Sequence, residues 1–469
     1  MEMSSYKLLL DGQLVDGAST IEVMNPAEGK VLATCPRADV AQLNQAVAAA
    51  KRAFPAWSAL APEAREAKLC QLADAVEAEA DGLARLLTQE QGKPLAEAQA
   101  EVMGAVYGLR TFGALRAEPK ELQSTATVRV IEVRKPLGVV AAIVPWNFPL
   151  LLMVLKVGPG LAMGNTMVLK PAPTTPLTTL RVGELAAAIL PPGVLNIIVD
   201  DNDLGSVLTA HPDIAKVSFT GSTATGKKVM QSVASDLKRL TLELGGNDAA
   251  IVLDDADIKQ VAPAIFASAM TNSGQICLAT KRVYAHSSHY DELCDELAAL
   301  ANAVVVGDGT QQGVTMGPLQ NRMQFEKVKG FLLDAKAEGT VIAGGEAREG
   351  DGYFIQPTIV RDIADSARLV REEQFGPVLP VLRYDDVADA ILRANDSEYG
   401  LGGTVWTSNI ERGIEVANQV DSGTVWVNKF LDLPFDVPFR GAKQSGLGGE
   451  NGEEAINGYT QAKIINVAL

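Results

Sequence analysis

Apolar residues in the first third of the chain recur at helical spacing, over residues 40–53, 62–91 and 95–117, each rich in Ala, Leu, Glu and Lys. Pro62 and Pro94 stand where the second and third of these helices would begin, a position that needs no backbone N–H. From residue 125 to 134 the pattern changes to alternation, with Val128 and Val130 set against Arg129, which predicts a polar strand needing a partner to cover its edge. Short apolar runs then alternate with helical stretches. Strands are expected over 139–144, 166–170, 194–199, 216–219 and 240–244, and helices over 150–163, 176–189 and 223–234. Strands apolar on both faces and separated by helices predict a parallel sheet with right-handed crossovers and helices on either side, a Rossmann-like α/β architecture. A second α/β block runs from about Asp248 to Lys443, with strands expected over 249–253, 283–286, 378–382, 403–406 and 424–427. The Gly246-Asn247 step is the expected hinge between the two blocks, and no internal repeat is visible.

Composition narrows the function classes. A chain of 469 residues is too long for one core, so two or three domains are expected, and 47% hydrophobic with 21% charged residues fits an ordinary soluble α/β protein. A formal net charge of -16 repels phosphate backbones and anionic lipid, which argues against nucleic acid or a membrane surface as the main partner. The N-terminus lacks a basic segment followed by an apolar run. The longest apolar stretch, 139–157, is interrupted by Pro145, Asn147, Pro149 and Lys156, so neither export nor a membrane span is expected. Cys35, Cys70, Cys277 and Cys294 are too few and too scattered for a disulfide framework or a zinc ribbon, which suits a reducing, cytoplasmic setting. His211, His286 and His289 are the only histidines; no third ligand lies near the last two, and no metal is expected.

Two glycine-rich stretches invite nucleotide readings. Gly221 to Lys228 matches the Gly-x4-Gly-Lys part of a phosphate-binding loop, but Lys228 occupies the place of the Mg-ligating hydroxyl. The stretch from Gly307 to Gly313 lacks dinucleotide-fingerprint spacing and reads as a turn.

Seven short motifs change the picture. They are Pro145-Trp146-Asn147-Phe148-Pro149, Leu169-Lys170-Pro171, Phe219-Thr220-Gly221-Ser222, Leu242-Glu243-Leu244-Gly245-Gly246-Asn247, Gly274-Gln275-Ile276-Cys277, Glu372-Glu373-Gln374-Phe375-Gly376-Pro377 and Pro438-Phe439-Arg440-Gly441. In this order they resemble the NAD(P)-dependent aldehyde dehydrogenase superfamily, from about Lys7 to the C-terminus.

The resemblance implies that Cys277 is the nucleophile, since a thiolate can add to an aldehyde carbonyl and the resulting thiohemiacetal can lose hydride to nicotinamide. Glu243, followed by two glycines that admit close approach, is read as the general base for Cys277 and then for the water that hydrolyses the thioester. Its presence favours release of a free acid. Asn147 and the Cys277 backbone N–H are the implied oxyanion donors. Lys156 resembles the lysine at the end of a proton path from the base, with a surface lysine as the alternative.

For the cofactor, Lys170 resembles the lysine at the adenosine ribose, Gly221 and Ser222 the residues under the pyrophosphate, and Glu373 and Phe375 those at the nicotinamide ribose and ring. Pro145 and Trp146 belong to the same expected cofactor set. Pro173 stands where strictly NAD-preferring members often carry a ribose-gripping Glu, so NADP stays possible beside NAD.

Carried over by position, the substrate pocket is Phe148, Leu152, Leu155, Ile276, Leu278, Leu433 and Phe439, a lining suited to a mostly apolar aliphatic or aromatic aldehyde. Arg440 replaces a glycine usual in its loop; it either holds a substrate carboxylate, as of succinate semialdehyde, or pairs with Asp432 or Asp436, and the pair is favoured. The expected organisation is an NAD(P)-binding domain over 1–116 and 137–246, a catalytic domain over 247–445 and a small β oligomerisation element over 117–136 and 446–469. Strands of that element pair across subunits in the family, which implies a homodimer or homotetramer. A P-loop nucleotide hydrolase and a catalytically silent homologue are the competing readings; the second would have lost Cys277, Glu243 or Asn147, and all three are present.

Overall fold

The structure is a computed structural model that describes residues 6–469; residues 1–5, which open the expected NAD(P)-binding segment, lie outside the described residues. Two large sheets carry the chain. The first runs, in spatial order, Gln13–Val15, Leu8–Leu10, Leu195–Ile197, Thr166–Lys170, Val139–Ile143, Lys216–Thr220, Arg239–Glu243 and Gly446–Leu447. Its five inner strands are parallel, and antiparallel segments close both margins. Val139–Ile143, Thr166–Lys170 and Lys216–Thr220 are buried at every residue, as expected of strands covered on both faces. From Val139–Ile143 the next two strands in sequence extend one way and the later pair the other, so the order reverses between Val139–Ile143 and Lys216–Thr220. Ligands of open α/β sheets bind at such a switch point, outside the carboxyl ends of the strands.

The second sheet runs Thr340–Ala343, Thr358–Arg361, Val378–Tyr384, Thr280–His286, Asp248–Val252, Gly402–Trp406 and Thr424–Val427, parallel except at its first pair. A third sheet joins Thr460–Ala468, Val128–Pro136 and Lys120–Ser124. The polar strand expected around residue 130 is therefore covered on both edges within the chain, and the open edges pass to its two neighbours.

Three expectations change. The first third is not helical throughout, because residues 8–37 form four strands paired as two hairpins. The first hairpin turns at Asp11-Gly12, both at positive φ (52° and 75°), the backbone that an Asp-Gly turn favours. The single helix expected over 62–91 is two, Pro62–Ala78 and Ala80–Gln91, broken at Glu79. The Gly246-Asn247 step joins the two sheets, but it is clamped: Gly246 N donates to Glu373 Oε1 at 3.0 Å, and a Cβ on Gly246 would lie 2.5 Å from the Cys277 carbonyl oxygen.

Candidate active site

The first sheet ends its inner strands on the residues that the motifs single out. Val139–Ile143 leads to Pro145-Trp146-Asn147, Thr166–Lys170 ends on Lys170, Lys216–Thr220 leads to Gly221-Ser222, and Arg239–Glu243 ends on Glu243. A buried strand stops where its apolar run stops, which delivers these polar groups to one edge, at the switch point.

Cys277 reaches this edge from the second half of the chain, on a loop held by an unusual backbone. Asn272 and Ser273 adopt left-handed φ (51° and 56°), and Gly274 follows at 73°, where a Cβ would meet the Gly376 carbonyl oxygen at 2.4 Å. Gln275 is fully buried and fixes the turn, donating to the Asn272 carbonyl at 2.9 Å and accepting from Gln320 N at 2.9 Å. Beyond the cysteine, the buried Lys281 ammonium donates to the carbonyls of Ile276 (2.8 Å) and Cys277 (2.7 Å). Cys277 is half-buried, and desolvation pushes its thiol up to about 12; Lys281 opposes this, while Glu373, Asp248 and Glu243 add to it. These surroundings favour the neutral thiol form of Cys277.

Asn147 lies beside this loop and is held from several directions. Its amide donates to the Gln275 carbonyl at 3.0 Å, and its own carbonyl accepts from Lys93 Nζ at 2.9 Å and Asn272 Nδ2 at 3.0 Å. Lys93 is paired at 2.5 Å with Glu101, both side chains being fully buried. The other Glu101 oxygen accepts from Leu150 N and Leu151 N at 2.9 and 3.2 Å, capping the helix Pro149–Ala162 that follows Asn147. Glu97 accepts from Asn272 N at 3.0 Å. Two turns of the helix Leu95–Gly113 thereby brace the Asn147 loop and the loop before Cys277 together. None of Lys93, Glu97 and Glu101 was singled out from sequence, where the two acids look like charged positions of an ordinary amphipathic helix and Lys93 like a charge in the loop before it.

Glu243 is held quite differently. Among the described residues neither of its buried carboxylate oxygens has a hydrogen-bond partner. Burial raises its pKa well above the ordinary carboxylate value, Glu450 raises it further, and Lys156 opposes both. Lys156 is fully buried, which excludes the surface-lysine reading, and its ammonium lies 2.7 Å from Glu450 Oε1 and 3.3 Å from Ser218 Oγ. Tyr459 donates to Ser218 at 3.2 Å, and next to it the fully buried Lys216, lowered to about 7 by burial and by Lys156, donates to Thr241 at 2.6 Å. Glu450 was missed in sequence, where it sits in a Gly-rich acidic stretch that reads as surface.

The remaining motif residues line the same edge. Gly221 N donates to the Glu243 carbonyl at 3.0 Å, and Ser222 caps the helix Thr223–Val233 by accepting from Thr225 N at 3.3 Å. A Cβ on Gly245 would lie 2.7 Å from Glu373 Oε2, so a larger residue there would make the Glu373 carboxylate shift. Phe375, at φ 51°, meets Trp146 edge-on at 5.4 Å. Lys170 Nζ lies 2.5 Å from Asp200 Oδ1, and Pro173 follows on the next turn. With a helix N-terminus at the switch point, and with Asn147 Oδ1, Thr220 Oγ1 and both Glu243 oxygens buried and unpartnered among the described residues, this edge fits a polar dinucleotide such as NAD(P).

Ile276, Leu278 and Phe439 form one apolar cluster with Leu401 and Trp426, flanked by Phe148, Cys277, Leu431 and Leu433. Leu152 and Leu155 instead pack, half-buried, on the core of the first sheet together with Phe435. The pairing expected of Arg440 is corrected: it is bound to Glu454, while Asp432 pairs with Lys429 at 2.5 Å. The backbone of Phe439 is bridged to Glu450 by two hydrogen bonds, which carries Arg440 toward the helix Gly452–Tyr459 and its Glu454, away from the acids near it in sequence. Among the described residues no three His, Cys, Asp or Glu side chains gather in a way that could hold a metal ion.

Known proteins match along nearly the whole chain. Residues 14–465 match the family model described as the aldehyde dehydrogenase family. The phenylacetaldehyde dehydrogenase of Pseudomonas fluorescens is 40% identical, over 99% of this chain and 96% of its own. The NADP(+) succinate-semialdehyde dehydrogenase of Escherichia coli is 39% identical, over 98% of this chain and 97% of its own. The structure of an aldehyde dehydrogenase from Bacillus cereus in complex with NAD+ superposes with a TM-score of 0.97 at 38% identity, covering 99% of this chain and 97% of that one.

Proposed function

The chain belongs to the aldehyde dehydrogenase family and is an NAD(P)-dependent aldehyde dehydrogenase; from that premise we propose that it oxidises mostly apolar aliphatic or aromatic aldehydes to free acids, with Cys277 as nucleophile and Glu243 as base. The observation that carries this reading is the convergence of a half-buried thiol, a braced side-chain amide and an unpartnered carboxylate at the switch point of one sheet.

Glu243 takes the proton from the Cys277 thiol, and the sulfur adds to the aldehyde carbon. The alkoxide is met by the Asn147 amide, whose second N–H is left after the bond to Gln275, and by the Cys277 N–H. The bound nicotinamide supplies one thing, an acceptor for the hydride that leaves that carbon. The thioester on Cys277 is then opened by water that gives its proton to Glu243, and Lys156 with Glu450 passes protons onward. In this reading Pro145, Trp146, Lys170, Gly221, Ser222, Glu373 and Phe375 hold the cofactor, and an uncharged lining of Phe148, Ile276, Leu278, Leu433 and Phe439 selects the aldehyde, with Leu152 and Leu155 behind it. A semialdehyde is disfavoured because Arg440 is already engaged by Glu454. NAD+ is the preferred acceptor.

Among the described residues no helix is long and apolar enough to cross a membrane. Four free cysteines suit a cytoplasmic setting. Among the described residues the strand Thr460–Ala468 has no partner on its outer edge, and it exposes Ile464 and Val467, which supports assembly of a homodimer or homotetramer through that sheet. The test is an aldehyde panel with both cofactors, following reduced nicotinamide by absorbance. Apolar aldehydes should turn over best, and Cys277→Ala should lose about 10⁴-fold or more; preference for a carboxylate-bearing aldehyde would refute the substrate reading.

A further inference from the structure

The ribose end of the proposed cofactor site lacks the usual acid at Pro173, yet a carboxylate reaches it from another loop. Asp200 follows the strand Leu195–Ile197, next to Thr166–Lys170 in the sheet, and its Oδ1 lies 2.5 Å from Lys170 Nζ. The Asp200 side chain is fully buried and that of Lys170 nearly so, at 6% exposure. The second Asp200 oxygen accepts from Leu204 N at 2.9 Å, which fixes the carboxylate plane. A second cation that feels Asp200 is also taken: Arg37 pairs with Asp203 at 2.7 Å, and Asp203 in turn accepts from Asp201 N at 3.1 Å. Asp203, Asp201 and Asp200 all act on the Arg37 guanidinium and help raise its pKa. Two cations thus face three carboxylates.

We propose that Asp200 is a specificity-determining positioning residue, which neutralises the Lys170 ammonium so that the ribose edge accepts the uncharged 2′-hydroxyl of NAD+ and rejects the 2′-phosphate of NADP+. The inference rests on the adenosine ribose lying beside Lys170, as proposed above. A 2′-phosphate needs an unpaired cation, and here it would enter a field of net negative sign in a partly dehydrated site, where one extra charge pair outweighs anything a hydroxyl contact supplies. With its charge balanced by Asp200, Lys170 offers N–H groups to a neutral acceptor, which is what a ribose hydroxyl provides.

The experiment is calorimetric binding of NAD+ and NADP+ to the full-length protein without aldehyde, for the parent, Asp200→Asn and Lys170→Met. The parent should bind NAD+ tighter than NADP+ by about thirtyfold or more. Asp200→Asn keeps an oxygen for Leu204 N, and it should narrow that ratio by about tenfold or more, mainly through tighter NADP+. Lys170→Met should weaken both ligands. Raising the salt concentration should shrink the parent's ratio, because salt screens repulsion, and this arm needs no variant to fold. If Lys170→Met leaves both affinities unchanged, the placement of the ribose is wrong and the functional reading must be revised. If Lys170→Met weakens both but the parent prefers NADP+, or Asp200→Asn leaves the ratio unmoved, or salt widens it, the role of Asp200 is overturned while the site stands.

Discussion

Asn147 is fixed by Gln275, Asn272 and Lys93, and through Lys93 by the buried Glu101, whereas Glu243 ends its strand with neither oxygen hydrogen-bonded among the described residues. Both groups are buried, at 4% and 5% exposure, so burial alone does not explain the contrast. Their tasks do. A donor to a developing alkoxide works by being in place before the charge appears, so every bond that removes its freedom is useful. A base must give up and regain a proton in each cycle, first with a thiol and then with water. Permanent donors would lock its carboxylate in the charged form and drain its basicity. On the proposed roles, the difference teaches that rigidity in this site is placed where charge is stabilised and withheld where protons move.

Four experiments bear on that contrast. The largest effect should come from Glu243→Gln, which keeps shape and burial but cannot take a proton; kcat should fall about 10³-fold. Because the Cys277 thiol sits at about 12, the residual rate should climb close to tenfold per pH unit through the neutral range, whereas the parent's profile should be flatter. A parallel pH profile in both proteins would remove Glu243 from the thiol step. Next, Asn147→Ala should lower the rate of the first turnover by about 10²- to 10³-fold with KM for NAD+ little changed.

Loosening the brace without touching the amide should cost less. Glu101→Gln can still accept from Leu150 N but no longer balances Lys93, and we expect about tenfold in kcat. Alkylation of Cys277 by iodoacetamide, which needs no oxyanion donor, should stay within about twofold; a matching loss in both reactions would mean that the brace only holds the fold. The smallest effect is on stability. Glu243 has a raised folded pKa, so its contribution is fully present below the unfolded carboxylate value and is lost as pH rises toward the folded value. Over that window the parent should lose up to about 1.4 kcal/mol per pH unit relative to Glu243→Gln, read as diverging urea midpoints. Midpoints that stay parallel would show that folding does not raise the Glu243 pKa.

What could be read from sequence follows the range of the forces involved. The inner strands of both sheets were legible because residues such as 139–143 and 216–220 are apolar on both faces, a pattern that needs no partner to interpret. The motif residues were legible as a family resemblance, since Pro145 to Pro149 and Gly274 to Cys277 are contiguous. The N-terminal hairpins were not. The first offered only the Asp11-Gly12 turn, set beside strands of three residues each, and the second, Ser19–Asn25 with Lys30–Arg37, has strands that are mostly exposed or half-buried. Lys156 was read as the end of a proton path, but its partner Glu450 and the brace stayed hidden for a different reason: Lys93, Glu101 and Glu450 become buried only through contacts with distant segments, Lys156 and Glu450 being 294 residues apart. Arg440 shows the same limit, since its acid is Glu454, across a backbone bridge, and not the nearer Asp436.

The most direct test of the account is covalent. Rapid mixing with a good aldehyde and NAD+, an acid quench and mass spectrometry of the digested protein should find the acyl group on the peptide carrying Cys277, in amounts that rise with the first turnover. Cys277→Ala should show neither adduct nor turnover. Turnover that persists in Cys277→Ala, or acyl groups found on other residues but never on Cys277, would contradict it.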